Sequence, residues 1–390
     1  MMEISKKMEA IPNSAIRKIF DMCEGVDGLV KFTVGEPDFQ TPRRIVDAAI
    51  DALNRGETKY TSNRGIIQLR KAISDMAEKK KHIKANPDKE IIVTNGGMQA
   101  LFFAMQTIMN PGDEIIVGSP YFTNYLGQIM IAGAVPKFVP LKEENGFTFD
   151  MKELEQAITD KTKAILINFP SNPLGSVMNE TQMEELAELA IKYDLFVISD
   201  EVYQEYLYNN LEFISIASIP GMKERTIVCD SFSKTYAMTG WRIGYAIAPE
   251  KIINYMVKMQ EANASCVNAP SQYAALEALT GPQDDLKSMI ATFEKRRNLI
   301  VKEINKIPDI SCVVPQGAFY LFVNVKKTGL TSDEFAVRLL QEAKVAVIPG
   351  DAFGEEGEGY IRMTYVTSEE NIIEGVSRMK SFIETLTKER

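Results

Sequence analysis

The chain has 390 residues, 45% of them hydrophobic and 25% charged, which is enough to bury two cores rather than one. Its 53 acidic and 44 basic side chains leave a formal net charge of −9, which argues against a general binder of nucleic acid or of an anionic membrane surface. A single histidine, His82, and four scattered cysteines, Cys23, Cys229, Cys266 and Cys312, argue against metal sites, histidine triads and a disulfide framework, and fit a reducing cytoplasm.

The first twenty residues lack the apolar core of a signal peptide, and no uninterrupted apolar run reaches the roughly 18 residues of a membrane span. Lys79-Lys80-Lys81-His82 follows a helix-like segment and precedes Asn86-Pro87-Asp88, so it reads as a solvated helix end. From residue 90 onward, short apolar runs alternate with amphipathic segments of helix length. The pattern predicts strands at residues 90–94, 114–118, 164–168, 196–200, 226–230 and 244–248. Runs that are apolar throughout suit strands covered on both faces, as in a mostly parallel α/β sheet. Helices are expected over residues 98–109 and 180–192, the second capped by Asn179. Gly112-Asp113 and Pro349-Gly350 mark turns. Beyond about residue 290 the pattern becomes α+β, with helices near 293–304, 332–342 and from 368, and strand-like runs at 312–314, 317–324, 345–348 and 360–365. This division predicts a large domain over residues 46–290 and a smaller one from residues 1–45 and 291–390.

One lysine stands apart from those of a charged face. Lys234 lies in Ser231-Phe232-Ser233-Lys234, with Arg242 eight positions on, among hydroxyls and small residues. Burial and nearby cations favour the neutral amine, which can then form an imine. Ser231, Ser233 and Arg242 make an anion socket. Asp200 ends an apolar run, where a carboxylate is costly unless paired; it suits a charged ring nitrogen or a cap on the next segment. Tyr203 can offer its hydroxyl to a ring oxygen. An imine-forming amine, an anion site and a ring partner are the parts pyridoxal 5'-phosphate needs. Asn95-Gly96-Gly97-Met98 joins a strand to a helix, where glycines admit close backbone approach and free N–H groups bind phosphate, although such turns also serve packing. Phe122, in Ser119-Pro120-Tyr121-Phe122, suits ring stacking or the core. Asn172, in Ser171-Asn172-Pro173-Leu174-Gly175, suits a ring hydroxyl or an Asn-Pro turn. Arg362 sits inside an apolar run and needs an anion, either an internal carboxylate or the α-carboxylate of an amino acid.

These motifs occur in order with Gly35-Glu36-Pro37-Asp38-Phe39 and Tyr60-Thr61-Ser62-Asn63-Arg64-Gly65. As a set the chain resembles, nearly end to end, the class I/II aminotransferases among the fold-type I pyridoxal-phosphate enzymes (aspartate/aromatic aminotransferase-like). The resemblance implies an α/β fold whose large domain holds a mostly parallel seven-stranded sheet covered by helices, beside a smaller α+β domain. It implies that Lys234 is the Schiff-base lysine and proton shuttle. Ser231, Ser233 and Arg242 would hold the phosphate with the backbone of Gly96, Gly97 and Met98, helped by Tyr60 of a second copy. Asn172 and Tyr203 would flank the ring oxygen, Asp200 would pair with the ring nitrogen, and Phe122 would stack on the ring. Arg362, the Gly35 backbone and Asn172 would take the substrate carboxylate. A homodimer with active sites at its interface follows, as does ping-pong amino transfer from an L-amino acid to a 2-oxo acid, 2-oxoglutarate first among acceptors.

Three positions depart from the family pattern. Met98 stands where aspartate-preferring relatives often carry a lysine, which favours a broad or aromatic/hydrophobic donor over aspartate. Leu174 replaces a usual threonine, with little expected effect. Tyr125 stands where some aminotransferases place histidine, so the Asp200 network is expected to run through other polar groups. Aspartate aminotransferase is the nearest alternative and a carbon–sulfur β-lyase with the same cofactor the next. A transcription regulator built on such a domain is disfavoured by motifs that begin at Gly35 and by the acidic charge.

Overall fold

The computed structural model describes residues 5–9, 11 and 15–389. Six of the apolar runs become strands of a seven-stranded sheet: β1 Ile91–Thr94, β2 Glu114–Ser119, β4 Thr162–Asn168, β5 Phe196–Asp200, β6 Thr226–Ser231 and β7 Gly244–Ile247. The seventh, β3, is Val135–Pro140, to which the sequence pattern assigned no strand. It lies at the sheet edge beside β2 and is only partly buried, with Val135 44% and Phe138 39% accessible. Two prolines break its apolar run and remove N–H donors, which only an edge strand tolerates. The strand order is β1-β7-β6-β5-β4-β2-β3. All neighbours are parallel except β7, which runs antiparallel to both β6 and β1.

Side chains alternate across this sheet, as strand geometry requires. Along β4, Ile165 and Ile167 enter one apolar cluster while Ala164 and Leu166 enter another on the opposite face, against the helix Gly97–Ile108. Both faces are covered, which explains why these strands read as continuous apolar runs rather than alternating ones. The helix Glu180–Lys192 starts where expected. Asn179 accepts from Gln182 N at 2.9 Å, and the Gln182 side chain returns to Asn179 N at 3.0 Å, closing a capping box.

A second, four-stranded sheet is wholly antiparallel: β8 Ser311–Cys312, β9 Tyr320–Asn324, β10 Ile348–Pro349 and β11 Tyr360–Thr364, in the order β10-β11-β9-β8. The helices Asp284–Ile304, Ser332–Ala343 and Glu369–Glu389 accompany it in the chain. Val30–Lys31 pairs in parallel with Val345–Ala346, which ties the N-terminal segment to the C-terminal part. The mixed α/β architecture is the one expected from the sequence. Among the described residues no helix is long and apolar enough to cross a membrane.

The lysine cluster at the end of the helix Ile67–Lys81 corrects a sequence expectation. Lys79, Lys80 and His82 are exposed, but the Lys81 side chain is fully buried, with Nζ 2.8 Å from Glu201 and 2.7 Å from Asp230. The left-handed His82 (φ 56°) ends the helix there. A charge run at a helix end hides one member that faces inward, and only the distant carboxylates reveal which.

Candidate active site

The carboxyl ends of the parallel strands converge on one crevice, the general ligand position of open α/β sheets. Asn168 closes β4, Asp200 closes β5 and Ser231 closes β6. With Gly35, Gly97, Met98, Phe122, Asn172, Tyr203, Ser233, Lys234, Arg242 and Arg362 they line a cavity of about 290 Å³. Most of the residues singled out in the sequence therefore meet in one place. Two do not line it: Gly96 lies behind the Arg242 guanidinium, and Tyr60 is 88% exposed on the surface.

The phosphate-sized end is shaped by missing side chains. A Cβ on Gly96 (φ 77°) would sit 2.5 Å from an Arg242 guanidinium nitrogen, and one on Gly244 would strike the Gly96–Gly97 backbone at 2.6 Å. These glycines let the start of Gly97–Ile108 approach β6 and β7. The first N–H groups of that helix have no partner within it, so they and the adjacent guanidinium form a cationic cup. Ser231 caps the short turn Phe232–Thr235: its hydroxyl accepts from Ser233 N at 3.1 Å and lies 2.8 Å from the Ser233 hydroxyl. That turn carries Lys234 into the cavity.

Lys234 Nζ donates to the Gly35 carbonyl at 2.6 Å. Burial, reinforced by Arg242 and Arg362 and opposed by Glu36 and Asp200, lowers its pKa to about 8. An amine with that pKa carries a far larger neutral share near neutral pH than an ordinary lysine does. Burial also raises the Asp200 pKa to about 6, against the Tyr125 hydroxyl and the Val202 N–H that favour its charge. Tyr125 donates to Asp200 at 2.6 Å, and burial with this carboxylate holds the phenol well above its ordinary value. The Asp200 network thus runs through Tyr125 itself, which corrects the expectation that other polar groups would carry it. Phe122 stands at the cavity wall with its ring edge-on to Tyr125, 5.4 Å between centroids.

Arg362 is buried in β11, and no carboxylate of the described residues pairs with it. It donates to Asn172 Oδ1 at 3.2 Å and to the Thr33 carbonyl at 2.9 Å, while its Nε has no partner. Its guanidinium lies over Tyr320 and Phe353, 4.8 and 4.9 Å from the ring centroids. A buried cation that lines a cavity and keeps an orphaned donor is one that awaits an anion. The internal salt bridge open at the sequence level is absent. Asn172 N is held by Asn168 Oδ1 at 2.9 Å, and Asn168 in turn donates to the Asp200 carbonyl at 3.1 Å, so the loop carrying Asn172 is tied to the end of β5.

Asn168, Thr33, Tyr125 and Tyr320 also line the cavity and were not among the site residues read from the sequence. Asn168 had a signal, as the polar last residue of an apolar strand, like Asp200. Tyr320 had none, because it lies within a run that reads only as a buried strand. Met98 lines the cavity and also borders a neighbouring groove of about 720 Å³ lined in part by Asp351, Glu355 and Glu356. Lys234, Arg242 and Arg362 are the cations lining the cavity and Asp200 is its anion. An anion cup, an amine, a carboxylate and an unsatisfied guanidinium together fit a molecule with a phosphate, a carbonyl and a basic ring, plus a carboxylate partner.

Comparison with known proteins agrees with this geometry. The family model "Aminotransferase class I and II" matches residues 27–379. The chain is 41% identical over 384 residues to aromatic-amino-acid aminotransferase 2 of Thermococcus litoralis, covering 98% of each. It is 43% identical over 384 residues to an aspartate aminotransferase of Pyrococcus abyssi, again with 98% of each covered. The crystal structure of the aromatic aminotransferase from Pyrococcus horikoshii OT3 superposes with a TM-score of 0.90 at 40% identity, over 95% of this chain and 99% of that one.

Proposed function

The chain belongs to the class I and II aminotransferases, and from that premise we propose that it binds pyridoxal 5'-phosphate at Lys234 and transfers the amino group of an aromatic or other apolar L-amino acid to a 2-oxo acid, 2-oxoglutarate foremost. The observation that carries the reading is the buried, carboxylate-free Arg362 facing the same cavity as Lys234. Pyridoxal phosphate, when bound, supplies the aldehyde and the electron-withdrawing ring of transamination.

The residues divide the remaining work. Ser231, Ser233, Arg242 and the backbone at Gly97 and Met98 hold the phosphate, with Gly96 giving room for Arg242. Asp200, braced by Tyr125, pairs with the ring nitrogen. Asn172 and Tyr203 meet the ring oxygen and Phe122 packs on the ring face. The Arg362 fork binds the α-carboxylate, which sets the donor's Cα against Lys234 Nζ, and Lys234 moves the Cα proton. This asks a neutral amine of Lys234 and a charged carboxylate of Asp200: the carboxylate is charged above about pH 6, and the neutral share of Lys234 grows as pH rises toward about 8.

Donor preference rests on Met98 and its surroundings. Beyond the cations already assigned, no lysine or arginine among the described residues lines the cavity, and Asp351, Glu355 and Glu356 line the groove next to Met98. A second carboxylate on the donor meets negative charge there rather than a partner. An aspartate donor remains the second reading, because a relative of that name is as similar as the aromatic one; it requires a cation from a second copy. The exposed Tyr60 supports a homodimer in which that hydroxyl reaches the partner's phosphate cup. The parallel pairing of Val30–Lys31 with Val345–Ala346 supports a smaller domain built from residues 1–45 and 291–390, beside a larger one over 46–290. Four free cysteines support a cytoplasmic setting.

The test is to load the protein with pyridoxal phosphate and offer single amino acids without any 2-oxo acid. Aromatic donors should bleach the visible band and release one equivalent of their 2-oxo acid, faster than aspartate does. Faster bleaching by aspartate would overturn the donor assignment. Continuous release of pyruvate and ammonia would make the protein a lyase instead.

A further inference from the structure

Tyr203 and Tyr320 face each other across the cavity wall with their hydroxyl oxygens 2.7 Å apart and their rings nearly perpendicular. Both are buried, at 3% and 1% exposure, and among the described residues neither hydroxyl has another hydrogen-bond partner. One hydrogen bond between two hydroxyls uses one of their two protons, so the direction of donation decides which tyrosine has a proton left for the cavity.

We propose that Tyr320 is a positioning residue: it donates its proton to the Tyr203 hydroxyl and so commits Tyr203 as a donor to the oxygen of whatever ring occupies the cavity. This rests on the reading of the cavity as a pyridoxal-phosphate site. Two observations give the direction, and a third gives the pair its room. The Arg362 guanidinium lies 4.8 Å from the centroid of the Tyr320 ring, and a cation over a phenol ring makes its O–H the stronger donor. Asp200 and Arg362 act on both phenols, the carboxylate more strongly than the guanidinium on Tyr203 and the guanidinium more strongly than the carboxylate on Tyr320, which leaves Tyr203 the weaker donor of the two. Gly35 leaves the room Tyr320 needs, since a Cβ there would stand 2.8 Å from the Tyr320 hydroxyl. The charged groups acting on the pair are Arg362 and Asp200, from β11 and β5.

A hydroxyl that accepts one hydrogen bond donates the next more strongly. Tyr320 thereby joins the anion-binding arginine to the ring end of the site, along Arg362, Tyr320 and Tyr203. Its contribution is orientation and polarisation, not contact with the reacting atoms.

The test uses the loaded protein without substrate, read by the pH dependence of its visible absorbance. A ring oxygen that receives a weaker hydrogen bond holds the neighbouring proton more tightly. Tyr320→Phe, which keeps the ring and removes the hydroxyl, should raise the apparent pKa of the bound chromophore by about 0.5 to 1 unit, a three- to tenfold change in proton affinity. Tyr203→Phe should raise it at least as far. In the Tyr203→Phe background, Tyr320→Phe should add nothing further. The KM for the amino donor should stay within twofold in Tyr320→Phe while kcat falls several-fold, since Arg362 is untouched. A chromophore pKa unchanged to within about 0.1 unit in Tyr320→Phe overturns the inference, and so does an equal shift with and without Tyr203. If wild-type protein also gains no visible band from pyridoxal phosphate, the cofactor reading itself falls and the inference falls with it.

Discussion

Two buried charged clusters hang from the ends of the same two strands, and they differ in whether their hydrogen bonds close. In one, Lys81 Nζ meets Glu201 and Asp230, Gln204 and Tyr245 also donate to Asp230 at 2.7 Å, and Ser199 and Ser215 donate to Glu201 at 2.9 and 2.6 Å. Burial alone would lower the Lys81 pKa, but the two carboxylates outweigh it and hold it above the ordinary lysine value. In the other, one residue along each strand end, Asp200, Ser231, Lys234 and Arg362 surround a cavity, and Arg362 Nε and Thr33 Oγ1 are left without partners. The first cluster is complete within the chain and therefore structural. The second is incomplete and open to a ligand, as the proposed function requires. Satisfaction of polar atoms, not burial or charge, separates the two.

The sharpest way to break this contrast is to remove one cation from each cluster. Lys81→Met strands two buried carboxylates, and we expect a loss of about 3–5 kcal/mol of stability, measured by denaturant unfolding of the cofactor-free protein. Arg362→Met, in contrast, removes a buried cation that has no anionic partner until substrate arrives. Its stability should match or exceed wild type, while kcat/KM for amino acids falls about a hundredfold or more with the loss of charge-assisted hydrogen bonds. If both variants unfold alike, the division into closed and open clusters is wrong.

A smaller effect follows from the proton on Asp200. Its pKa of about 6 in the cofactor-free protein lies above the ordinary aspartate value, so the carboxylate is charged above pH 6 and increasingly neutral below it. Pairing with a cationic ring nitrogen demands the charged form. Affinity for pyridoxal phosphate should therefore be flat from about pH 6.5 to 7.5 and weaken below pH 6 by up to about tenfold per unit, as equilibrium titrations would show. Tyr125→Phe removes a hydrogen bond that favours the charge, and should move that inflection upward.

Much of this was legible in the sequence because strands buried on both faces announce themselves as apolar runs and because the polar residue that ends such a run must have a purpose. Asp200 was found that way and six strands with it, whereas Arg362 stood out as a cation inside such a run and Lys234 and Asn172 by their local motifs. The pieces that escaped share a physical reason: each depends on a partner distant in the chain. The edge strand β3 is defined by its pairing with β2 rather than by its proline-broken pattern. Lys81 looks like its exposed neighbours until Glu201 and Asp230 arrive. Tyr320 is one apolar-run residue among several until Tyr203 and Arg362 bracket it. The direct bond from Tyr125 to Asp200 spans 75 positions and has no local signature.

The most direct test of the central claim is to load the protein with pyridoxal phosphate, fix it to whichever amine holds it with borohydride, and locate the label by peptide mass spectrometry. We expect one label per chain, on Lys234, and none in Lys234→Ala. A label on another lysine, or none at all, would contradict the account.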